Sequence, residues 1–196
     1  MPFCPFAIDV IYLSEPTGIS VFSEVLFILL GDEIMIEVMR DRTIALIDDF
    51  RRTIITSNWD YKLYNQPLWK HIYHALYWFD YWYCTPENFS KADFHTENLH
   101  SLDVVCDIQV SKEEMLSYLD KVKNKTIAYL DNIDESMFEE ICDCCEDKTR
   151  FACMLGQFPH VAFHLGNINS VTIKETGKWV YIPCRERDTD NELFEE

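Results

Sequence analysis

The chain has 196 residues, and its 34 Asp plus Glu stand against 17 Lys plus Arg, a formal net charge of −17. That negative excess works against binding a nucleic-acid backbone or an anionic membrane surface, so neither is expected as a partner. The length suits one domain with a substantial core, and only five Gly and seven Pro interrupt it, which predicts a mainly helical, all-α protein and not a turn-rich sandwich.

Residues 1–31 carry Pro2, Pro5, Pro16, Gly18 and Gly31 around short apolar stretches and read as an N-terminal extension of unassigned structure and role. The most apolar run, residues 19–30, is broken by Glu24 and falls short of the roughly 20 residues that a membrane span needs. No secretory signal is read at the start, so the eight cysteines are expected to be reduced thiols in a cytoplasmic protein. Residues 32–174 are expected to form the domain proper, and residues 175–196 a C-terminal tail.

The first helix is predicted over residues 32–57, where Ile36, Met39, Ile44, Ile47, Phe50 and Ile54 recur at helical spacing. A polar aromatic linker, residues 58–66, leads to Pro67, which suits the first turn of a second helix over residues 67–84. That helix is aromatic on nearly every side, so it should be enclosed by other helices or by a second copy of the chain, and a homodimer is expected. Residues 85–110 are long, polar and proline-punctuated and read as a crossover connection. Ser111 with Glu114 forms a capping-box pattern that starts a third helix, ending near Asp131. An acidic piece follows, and a fourth helix is predicted over residues 149–174. Gly177 and Pro183 bracket a short strand or extended tail, and the charged residues 185–196 read as loose.

His160 and His164, four apart on the fourth helix, lie one above the other and can share one divalent ion. Cys153, Gly156, Gln157, Asn167 and Val171 fall on the same face by helical angle, and Gln157 and Asn167 are candidates to orient a substrate or a bound water. Pro159 should kink the helix or mark its start. The second helix offers His71 and His74 as a third ligand, and periodicity leaves both open. His95 and His100 lie in the polar connection and are read as solvated. Cys142, Cys144 and Cys145 lack the paired spacing of a zinc site, and Cys106, Cys153 and Cys184 supply no second pair.

The segment LWKHIYHALYWFDYW resembles the second-helix motif of the DinB-like (DinB/YfiT) superfamily, and QFPHVAFHLGNIN resembles its fourth-helix motif, with His160, His164, Gly166 and Asn169 in the matching places. The resemblance spans residues 32–174. It departs from the family at residues 1–31, at Lys70 where an acid is common, and at Pro159. It implies a four-helix bundle with one long crossover and a mononuclear site on His74, His160 and His164, with His71 a neighbour. Three imidazoles leave a coordination position open, as a catalytic ion requires. The resemblance further implies a metal-dependent S-transferase joining a low-molecular-weight thiol to a small electrophile, the ion being zinc, nickel or iron, which imidazole does not distinguish. The alternatives are a non-catalytic bundle that binds a metal or small ligand, and a metal-dependent hydrolase.

Overall fold

The computed structural model describes residues 22–83, 89–142, 147–182 and 192–195, with side chains from residue 35 onward, Glu135 excepted. Residues 1–21 of the N-terminal segment, together with Cys84, Cys144, Cys145 and Cys184, lie outside the described residues. The protein is mostly helical: α1 Phe22–Thr56, α2 Leu68–Tyr83, α3 Lys112–Leu130, α4 Glu135–Glu139 and α5 Arg150–Thr176, with a two-stranded sheet of β1 Lys62–Leu63 and β2 Gln66–Pro67. No described helix is long and apolar enough to cross a membrane.

The helix α1 begins at Phe22, ten residues before the start expected from the sequence, and continues straight through Gly31. One glycine costs a helix only about 1 kcal/mol relative to alanine, less than the surrounding helix-forming residues supply. At its other end α1 is closed from outside. The Lys112 ammonium, on the first residue of α3, donates to the carbonyls of Ile55 and Ser57 at 2.8 and 2.9 Å. These oxygens would otherwise lack partners, and a cation suits the negative end of a helix.

The linker to α2 is a tight hairpin, not a loop. Lys62 pairs with Pro67 and Leu63 with Gln66, and Tyr64 and Asn65 at the bend both take positive φ, 49° and 65°. Two successive left-handed residues match the right-handed twist of the strands they join. Pro67 therefore ends β2, one residue ahead of the helix it was expected to open.

Enclosure of α2 follows its composition: twelve of its sixteen residues are buried. Trp69, Tyr73, Leu76 and Phe79 are fully covered, each such side chain contributing about 1.5–3 kcal/mol of burial. The charged side chains and the buried imidazole caught in this position have partners, whereas the Trp69 indole nitrogen has none among the described residues. Lys70 donates to the Val104 carbonyl, His71 meets the Leu63 carbonyl at 2.9 Å, and Asp80 pairs with Lys125. The long helices close a ring of contacts, α2 on α5, α5 on α1, α1 on α3 and α3 on α2.

The start of α3 is as predicted, with Ser111 as N-cap and a reciprocal bond from Glu114, and its end falls at Asp131. The acidic piece contains the one-turn helix α4. Thr149 caps α5 by accepting from the Ala152 amide, and Gly177 closes it in the left-handed conformation at φ 71°. Pro159 lies inside α5 on its exposed side, where water can serve the carbonyl that the proline leaves without a donor. The end of the chain is not loose at residues 192–195: Val180 bridges Phe194, and the Glu192 carbonyl accepts from buried Arg52.

Candidate metal centre

Two elements carry the site. His160 and His164 share one face of α5, and His74 projects from the face of α2 that packs on it. The three rings form a closed triangle, with centroids 5.7 Å apart for His74–His160, 4.8 Å for His74–His164 and 4.8 Å for His160–His164. One nitrogen from each lies within 4.8 Å of the others. Around a tetrahedral ion with bonds near 2.05 Å, donor nitrogens stand about 3.3 Å apart, so modest ring rotation brings this set onto an ion.

Hydrogen bonds select which nitrogen each ligand offers. His74 Nδ1 sits 2.7 Å from the His100 carbonyl oxygen. A carbonyl can only accept, so Nδ1 carries the proton and Nε2 keeps its lone pair. On α5 the Gln157 amide nitrogen donates to the Cys153 carbonyl at 3.3 Å, which aims its oxygen at His160 Nδ1, also at 3.3 Å. His160 is thereby held as the same tautomer. Such outer hydrogen bonds fix ring orientation and raise ligand basicity in metal sites generally.

Burial keeps the set uncharged. It lowers His74, whose shift His160 deepens, and it lowers His160. It drives His164 furthest, to about 3, with the neighbouring His74 and His160 adding to the effect. Neutral imidazoles are the ligand form, so the site is prepared for a cation without first releasing protons.

The spacing left His71 and His74 open, and the structure separates them. His71 is buried beneath the β-hairpin, bonded to Leu63 and edge-on to Tyr64, while His74 joins the α5 pair. Of the residues expected to surround the ligands, Gln157 touches His160. Asn167 has its carbonyl engaged by Ser170, and the groups bonded to the ligand rings among the described residues are Gln157 and His100. Asn169 is buried, its side-chain oxygen accepting from Thr53 on α1 at 3.1 Å, and so ties α5 to its neighbour.

His95 and His100 depart from the solvated reading. Both are half-buried and stack on Tyr77, at 5.7 and 4.4 Å, and His95 Nδ1 bonds the Tyr73 hydroxyl at 2.6 Å. The connection therefore packs on α2, anchored also by Gln66, whose amide donates to Leu102 and Val104. Nothing local in a polar stretch signals this, because the partners are on another element. Cys142 and Cys153 are buried and Cys106 half-buried.

A cleft of about 340 Å³ opens onto the triangle, lined by His74, Trp78, Trp82, Gln157 and His160. His164 is buried and is not among the lining residues, so the side of the site that meets the cleft is the His74–His160 edge. Comparison with family models, with curated proteins and with solved structures found no match for the chain.

Proposed function

We propose that the chain is a DinB-like four-helix bundle and a metal-dependent enzyme, an S-transferase that joins a low-molecular-weight thiol to a small electrophile. The observation that carries the reading is the triangle of three neutral imidazoles with an open cleft along one edge. A closed structural site would use a fourth protein ligand, and among the described residues the set is three. A divalent ion held there supplies positive charge that favours the thiolate over the thiol at neutral pH. The protein's own groups do the rest. The His100 carbonyl and the Gln157 amide hold two imidazoles in the donor tautomer, His164 is kept neutral by burial, and α2 and α5 fix the spacing of all three. The two motifs on α2 and α5 that resemble the DinB-like superfamily contain these ligands, which supports the thiol-using chemistry over water activation.

The test is elemental analysis of the untagged protein and of His74→Ala, His160→Ala and His164→Ala, followed by assay of thiol consumption with a panel of electrophiles. The reading expects about one metal per chain, lost in each variant, and thiol loss that depends on the metal. Metal without thiol turnover would leave a binding protein or a hydrolase. No metal after reconstitution would overturn the proposal.

A further inference from the structure

The cleft has a chemistry of its own beyond the metal ligands. His74, Trp78 and Trp82 are spaced four apart on α2 and line one wall from the ligand edge outward, facing Gln157 and His160 on α5. The two indoles are near-parallel, 28° between planes with centroids 6.4 Å apart, and Trp78 stands edge-on to His74 at 6.5 Å. Tyr77, Tyr81 and the His100 ring brace Trp78 at 5.2–5.5 Å, so the wall is held in place before anything enters. Among the described residues the lining contains no lysine, arginine or carboxylate, and its polar groups are the Gln157 amide, the two imidazoles and the two indole N–H groups. A volume of about 340 Å³ is at the small end of ligand sites.

We infer that this cleft binds an uncharged, flat aromatic small molecule stacked on Trp78 and Trp82, with its polar or reacting end at the His74–His160 edge. In the proposed reaction this is the electrophile, and only that assignment rests on the metal-dependent reading. The lining disfavours an anionic occupant. In the metal-free site a carboxylate or sulfonate would leave water without a cationic partner among the described lining residues, inside a chain of net charge −17. An aromatic occupant is favoured because offset and edge-on ring contacts add about 0.5–1.5 kcal/mol beyond area burial, which a two-indole wall offers twice.

The experiment is isothermal titration of the full chain, stripped of metal by chelator, with 4-nitrobenzyl alcohol and with its anionic analogue 4-nitrobenzoate. Chelation removes coordination of the carboxylate as a competing cause. The inference expects saturable one-to-one binding of the alcohol, with the benzoate at least about tenfold weaker. Trp82→Ala and Trp78→Ala each weaken the alcohol about three- to tenfold. Trp82→Phe, which keeps a ring, restores most of the loss, and unchanged helical circular dichroism excludes misfolding as the cause. Absence of saturable binding, equal affinity for the two probes, or indifference to both tryptophan variants overturns the inference. Because the probes are titrated without metal, its failure leaves the metal stoichiometry test untouched, and failure of that test leaves this binding result standing.

Discussion

Acidifying the metal-free protein should cost about 2 kcal/mol of stability through His164 alone, since an unfolded imidazole titrates near 6.5. In the folded chain burial, helped by His74 and His160, brings His164 down to about 3. A group whose pKa is depressed on folding contributes stability that is complete above the unfolded value and is lost as pH falls toward the folded one. From about pH 7.5 to about pH 5 the loss for one such group is RT ln(1 + 10^1.5), or about 2 kcal/mol. His164 is 9% exposed, so solvent screening reduces this little. Asp49 opposes it: burial, then Asp48, raises that carboxyl to about 8, so its contribution is present below the ordinary carboxylate range and disappears as pH rises through about 8. The measurement is therefore a difference. Urea unfolding with chelator present, at both pH values, compares the wild type with His164→Gln. Asp49 cancels, and burial, the first cause of the shifts of His74 and His160, is left in place by the variant. The wild type should lose about 2 kcal/mol more than the variant, roughly a 1 M change in urea midpoint at a slope of about 2 kcal/mol per molar. Equal losses within about 0.5 kcal/mol would refute the claim that the folded site holds this imidazole neutral.

Gln157→Leu removes the acceptor that fixes His160 and should weaken zinc binding about tenfold or more in a competition titration, with α5 intact by circular dichroism. Lys125→Met leaves Asp80, fully buried, without its counter-ion and should cost about 3–5 kcal/mol in chemical denaturation, whereas changing Asp80 to Asn in the same background should recover part of it. Ser111→Ala deletes the hydroxyl that accepts from the Glu114 amide, while the backbone amide at 111 can still donate to the Glu114 carboxylate, and it should lower stability by about 1 kcal/mol with no change in metal content.

What the sequence revealed was what is decided locally. The Ser111–Glu114 box needs only four consecutive residues, and the α3 start follows from it. His160 and His164 declared themselves because a helix places such residues together whatever surrounds it. The choice between His71 and His74 depends on how α2 is rotated against α5 and on where the hairpin and connection sit, and none of that is periodic in α2 itself. The hairpin escaped notice because Tyr64–Asn65 lacks the glycine that commonly marks such a bend. Gly31 suggested a boundary where the helix continues, since a single breaker is outvoted by its neighbours. The return of residues 192–195 to Trp179–Tyr181 could not be inferred from their charge, because backbone pairing carries it.

The bond from His74 to the His100 carbonyl has a consequence for the order of assembly. A chain in which α2 has met α5 but residues 95–104 are not yet seated holds an imidazole that can turn either nitrogen inward. If the site takes up an ion, capture in the correct geometry would wait for residues 95–104 to seat on α2, a contact between positions 26 apart in the chain. The rate of metal uptake by refolding protein would then be a clock for that closure, one that runs independently of how fast the helices themselves appear.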